Sequence, residues 1–67
     1  MDLSNILKEN RSKLGISQID LAEIAEVSLA TIKDLERGKG NPSLSTLEKI
    51  ADTLGLEIKI EPKIIVP

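Results

Sequence analysis

Residues 17–37, SQIDLAEIAEVSLATIKDLER, admit two short helices with a tight turn between them and little else. Leu21 and Ala22 fall on one helical face, Val27 sits in the turn, and Ile32 and Leu35 return to the same interior. Ala22 sets the geometry, because a small side chain lets the second helix cross the first at close range. Ser28, Leu29, Ala30 and Lys33 are then left pointing outward from the first turns of the second helix.

Two helices joined in this way have the layout of a helix-turn-helix, which places the start of its second helix in the DNA major groove. The rest of the composition excludes most other chemistry. At 67 residues the chain is one domain, below the size at which a single core is comfortably stable without help. It has no cysteine and no histidine, which removes disulfides, the usual zinc sites and the commonest catalytic bases. Tyrosine and a glycine-rich phosphate loop are missing too, so the expectation is a protein that is not an enzyme, with no cofactor or metal. There is no room for a ligand-binding domain, and no small-molecule ligand is expected. Without aromatic residues the core is wholly aliphatic, and base stacking on aromatic platforms is closed to this chain. The opening MDLSNILKEN carries neither a basic leader region nor a long apolar run. No membrane partner is expected, and the default location is cytoplasmic.

Along the chain, the spacing of Leu3, Ile6, Leu7, Asn10, Arg11 and Leu14 predicts a first helix over 2–14, stopped by Gly15. Ser17 opens the second helix, with Asp20 placed to complete a capping box. Ser28 is the expected N-cap of the third helix, and Gly38 its end. GKGNP reads as a loop. Ser43 then caps a fourth helix whose stripe is Leu44, Leu47, Ile50, Ala51 and Leu54, with Gly55 as its stop. From Leu56 to Glu61 apolar and charged residues alternate, the period of a strand; Pro62 interrupts it and KIIVP follows as an apolar tail.

The net charge of −2 by itself argues against a nucleic-acid partner. Its distribution matters more. Residues 1–27 hold five acids against three bases, whereas residues 28–47 hold Lys33, Arg37 and Lys39 against Asp34 and Glu36. The acids Asp2, Asp20, Glu23 and Glu26 are therefore expected on the side away from DNA.

Residues 6–56 resemble the lambda-repressor-like, Cro-type helix-turn-helix family. The likeness is carried by LKENRSKLGISQ, DLAEIAEVS, TIKDLERGKGNPS and LEKIADTLGL, in that order and with almost no change of length. Each fragment is weak alone; together they are specific. The resemblance implies a mainly α, four-to-five-helix DNA-binding domain over 1–55, to which this sequence adds a short C-terminal β-strand and tail over 56–67. It also implies roles for individual residues. Ser28, Leu29, Ala30 and Lys33 match the positions that face bases, where Leu29 and Ala30 offer only apolar contact to thymine methyls. Gln18 matches a phosphate contact at the start of the second helix, and Arg37, Lys39, Asn41 and Ser43 match a phosphate-binding loop. Arg11 and Glu36 match a structural pair between the first and third helices. Two features depart from the family. Glu26 stands where glycine is usual because the backbone tends to positive φ, and Ile19 and Ile24 stand where polar residues are usual.

The fifth helix of the family has no counterpart here. A lone strand satisfies few of its own backbone groups, so pairing with a second copy is expected to bury Leu56, Ile58 and Ile60 and form a homodimer. The resulting reading is a sequence-specific DNA-binding transcriptional regulator, in the repressor sense, that binds double-stranded operator DNA. The alternative is an antitoxin that binds a toxin protein and also represses its own operon, to which the KIIVP tail lends support.

Overall fold

Helices α1 (Leu3–Leu14), α2 (Gln18–Ala25), α3 (Leu29–Glu36) and α4 (Leu44–Leu54) make up the regular structure of the computed structural model, which describes residues 2–64. Each start is specified locally. Asp2, Ser17, Ser28 and Ser43 hold extended backbone conformations, and each side chain accepts a hydrogen bond from the backbone N–H three residues on. Such a cap supplies a partner to a helix donor that otherwise has none, and contributes about 1 kcal/mol. At Ser17 the expected capping box is complete, since the Asp20 carboxylate also accepts the Ser17 N–H at 3.0 Å. That hydrogen bond holds the Asp20 carboxyl below the usual carboxylate range.

Three of the four helices stop in the same way. Gly15, Glu26 and Gly55 take the left-handed conformation, with φ of 68°, 57° and 72°, and each backbone N–H returns to carbonyls of the last helical turn. The next residue is apolar in every case. Ile16, Val27 and Leu56 close the motif through N–H bonds to Arg11, Ala22 and Ala51, and all three pack against the core. Glycine reaches this conformation freely; Glu26 does not.

The core is a single cluster of Leu7, Leu21, Ala22, Ala25, Ile32, Leu35, Ile50 and Leu54, in which Leu21, Ile32 and Ile50 are fully buried. Helix α3 packs on α1 and α2, and α2 also packs on α4. Ala22 is buried in α2, the helix on which both α3 and α4 pack. Two positions read as part of the apolar stripes are instead exposed: Leu14 and Leu44 lie at the ends of their helices, beyond the reach of the neighbouring elements. Ile19 and Ile24 are exposed as well. No helix among the described residues is long and apolar enough to cross a membrane.

The structure corrects the expected C terminus. The helices number four among the described residues, within the expected four to five, but residues 56–61 form no strand there. Alternation alone does not make a strand, because its N–H and C=O groups need a partner and the described residues offer none beside them. Leu56 belongs to the stop of α4, half-buried in its own core, whereas Ile58 is 40% and Ile60 82% exposed. Residues 65–67 of the apolar tail lie outside the described residues.

The strained stop at Glu26 gives the first expectation. Glu26→Gly should stabilise the domain by about 0.5–1 kcal/mol, read as a raised urea midpoint with unchanged slope. A lowered midpoint would show that the glutamate side chain contributes more than the left-handed backbone costs.

Candidate nucleic-acid interface

The outward surface of α3 is held in place by a buried ion pair. Glu36, the last residue of α3, is 2% exposed, and its carboxylate receives three hydrogen bonds. Arg11 donates from Nε to Oε2 at 2.8 Å and from Nη2 to Oε1 at 2.9 Å, the two-pronged geometry that a guanidinium and a carboxylate share. Gln18 adds a third bond from Nε2 to Oε1 at 3.3 Å. The remaining arm of Arg11 donates from Nη1 to the Ile16 carbonyl at 2.9 Å. One carboxylate thus ties together α1, the turn after it, α2 and α3. Burial pushes the Glu36 carboxyl up, but the bonds from Arg11 and Gln18 outweigh it and hold the group below the ordinary carboxylate range. The same pairing raises Arg11.

With α3 fixed, its two faces separate cleanly. Ile32, Leu35 and Glu36 point inward, and Ser28, Ala30, Lys33 and Arg37 are exposed. Ala30, Lys33 and Arg37 follow one another at intervals of three and four residues, a single ridge along the helix. Ser28 uses its hydroxyl as the N-cap and pairs it with Thr31 Oγ1 at 2.7 Å. Leu29 differs from the sequence reading: it is half-buried and packs against the core, so it does not project freely from the first turn. A residue at N1 of a short helix can lean back onto the preceding turn, and here Val27 packs against the same core.

Beyond α3 the loop 37–43 carries the expected cation-rich edge. Lys39 and Asn41 are exposed, and the Lys39 N–H bonds the Asp34 carbonyl at 2.8 Å. The Ser43 hydroxyl is committed to capping α4, accepting from Thr46 N–H at 3.1 Å and donating to Thr46 Oγ1 at 3.0 Å. Gln18 stands at the start of α2 as expected, yet one of its amide hydrogens goes to Glu36, and the Asp20 carboxylate already meets the N-terminal end of that helix. The second amide hydrogen of Gln18 is left for an outside acceptor. Asp34, which the sequence shows only as one acid in the charge balance, forms an ion pair with Arg37 on the exposed side of α3. Their spacing of three residues was the available signal.

The pattern of the helix-turn-helix family matches residues 7–60. Similar proteins include the HTH-type transcriptional regulator DdrOP3 of Deinococcus deserti, 41% identical over 58 residues, a match that covers 87% of this chain and 45% of that protein. The immunity repressor protein of Bacillus phage phi105 is 40% identical over 58 residues, covering 87% of this chain and 40% of the repressor. An uncharacterized HTH-type transcriptional regulator of Methanothermobacter thermautotrophicus is 40% identical over 55 residues, covering 82% of this chain and 80% of that protein. The chain therefore spans less than half the length of the first two relatives and most of the third.

The Arg11–Glu36 pair yields two expectations. Arg11→Met or Glu36→Gln strands the partner group and should each cost about 3 kcal/mol, a large share of what so small a domain has. A double-mutant cycle by denaturant unfolding checks the coupling, and additive losses would show that the pair contributes none. The depressed Glu36 value means that its contribution is present above the unfolded carboxylate value, about pH 4, and is lost as pH falls through the folded one. Unfolding free energy should accordingly drop on acidification more steeply in the wild type than in Glu36→Gln.

Proposed function

The chain belongs to the helix-turn-helix family, and on that premise we propose that it is a sequence-specific DNA-binding transcriptional regulator that acts as a repressor and binds operator DNA as a homodimer. The observation that carries this reading is the exposed ridge of Ala30, Lys33 and Arg37 on a helix whose opposite side is locked by Glu36 and Arg11. A rigid helix with a small residue and a cation at its outer surface fits a major groove, which admits an α-helix and presents thymine methyls and guanine O6 and N7.

Electrostatics support the same face. Of the two acids in α3, Glu36 is buried against Arg11 and cannot repel phosphate, which leaves Asp34 against Lys33, Arg37 and Lys39. The exposed Asp34–Arg37 pair is of the kind that contributes little to stability. Arg37 therefore loses little in exchanging Asp34 for a DNA phosphate. Ser28, Ala30 and Lys33 are assigned to base edges, with Leu29 contributing whatever of its methyls the core leaves free. Arg37, Lys39, Asn41, Ser43 and the second amide hydrogen of Gln18 are assigned to the backbone. The relatives named above are regulators and a phage repressor, which favours a repressor over the antitoxin reading. A homodimer doubles the contact with DNA and adds the spacing of half-sites to the recognition.

Selection of bound sequences from a random DNA pool, followed by titration at several salt concentrations, tests the assignment. Lys33→Ala should lose about 1–3 kcal/mol on the selected site and relax the preference at one base pair. Ala30→Gln should shift preference toward adenine at the contacted position. Arg37→Ala and Lys39→Ala should weaken binding to all sequences alike and lower the salt slope by about one each. A pool that yields no enriched sequence would overturn the reading as a specific regulator.

A further inference from the structure

The exposed segment after α4 has an apolar groove beside it. A cavity of about 260 Å³ has Leu3, Ile6, Leu47, Ala51, Leu56 and Ile58 among its walls, so it lies between the start of α1, α4 and the segment itself. Leu56 and Ile58 both reach it, and in extended chain Ile60 belongs to the same side. Ile60 is 82% exposed, left uncovered by the described residues. Charged residues Glu57, Lys59 and Glu61 alternate with these apolar ones, and Glu57 and Lys59 also border the cavity.

We propose that a second copy of this chain covers this surface by antiparallel pairing of residues 56–60, in the one register that places Ile58 opposite the partner's Ile58. This rests on the homodimer proposed above and adds its geometry. Charge selects the register. With Ile58 on the two-fold axis, each Glu57 faces the partner's Lys59, and each Leu56 faces the partner's Ile60 at the groove. Shifting the axis to Lys59 puts Lys59 opposite the partner's Lys59 and Glu57 opposite the partner's Glu61, like charges directly opposed. A shift by half of that sets an isoleucine opposite a lysine and mixes the two faces. With the axis on Ile60, Pro62 enters the ladder opposite Ile58 and the pairing moves away from the groove. Parallel pairing opposes every charge to its own copy.

The backbone selects the phase. Leu56 N–H is already committed to the Ala51 carbonyl at 2.8 Å, so Leu56 cannot donate to a second strand. In the proposed register the inter-strand bonds therefore fall on Glu57 and Lys59, which exchange N–H and C=O with the partner's Lys59 and Glu57. Ile58 then occupies a non-hydrogen-bonded position, where opposed Cα atoms lie about 4.5 Å apart. The partner's Ile60 is brought opposite Leu56, at the mouth of the groove.

The chain has no cysteine, so a single introduced cysteine reports the axis directly. Under mild oxidation Ile58→Cys should cross-link almost completely into covalent dimers. Glu57→Cys and Lys59→Cys should not, since identical residues two positions off register lie about 8 Å apart, beyond disulfide reach. Glu57→Lys should raise the dimer dissociation constant about tenfold through two new like-charge pairs, and adding Lys59→Glu should restore it, as measured by sedimentation. Preferential cross-linking of Lys59→Cys or Ile60→Cys would overturn the register. A sedimenting dimer that none of these cysteines captures would overturn the segment as the interface, and a monomeric wild type would overturn the dimer itself. None of these measurements uses DNA, so they stand apart from success or failure of the regulator reading.

Discussion

The bidentate contact between Arg11 and Glu36 is the constraint on which the presentation of α3 depends. Apolar packing of Ile32 and Leu35 sets how far α3 lies from α1 and α2, but aliphatic contacts are non-directional and tolerate rotation and sliding. Two parallel hydrogen bonds to one carboxylate do not. They fix the last turn of α3 in orientation, and the Ile16 carbonyl and Gln18 amide bring the α1–α2 turn and the start of α2 into the same arrangement. Burying such a pair is costly, and a hydrophobic substitute of equal volume is often as stable. What the pair adds here is a fixed angle for the ridge of Ala30, Lys33 and Arg37.

Around that pair, stability is assembled from local devices. A chain of 67 residues with a wholly aliphatic core has little burial to spare, and each of its four helices begins with a side-chain cap. Three end in a left-handed residue followed by an apolar anchor. The stop at Glu26 is the exception in residue type, not in geometry. Its position between α2 and α3 means that any strain there falls within the turn that positions α3.

The distribution of charge reconciles a net negative chain with the nucleic-acid partner proposed for it. Neutralisation of Glu36 is a tertiary event, since Arg11 lies 25 residues away. Asp20 is absorbed in a cap, and Asp34 is paired with Arg37. Counting residues therefore overstates the unpaired negative charge that the chain carries on its surface.

Helix starts and stops were legible in the sequence because they are decided within four or five residues: a hydroxyl or carboxylate ahead of the first N–H groups, a left-handed residue after the last turn. The core positions Leu21, Ala22, Ile32, Leu35 and Ile50 were legible for a related reason, since helical periodicity alone puts them on one side. The Arg11–Glu36 pair was legible only through family resemblance. Other outcomes depended on where one helix ends relative to another, which no local pattern encodes. Leu14 and Leu44 continue their stripes yet overhang the core, while Leu29 leans into it. Gln18 turns one amide hydrogen to Glu36, a residue 18 positions on, instead of holding both for phosphate. Leu56 shows the division most plainly. Its alternation with Glu57 and Ile58 reads as a strand, but the left-handed Gly55 turns it back onto the core that α1, α2, α3 and α4 create together, and only the assembled helices supply that surface.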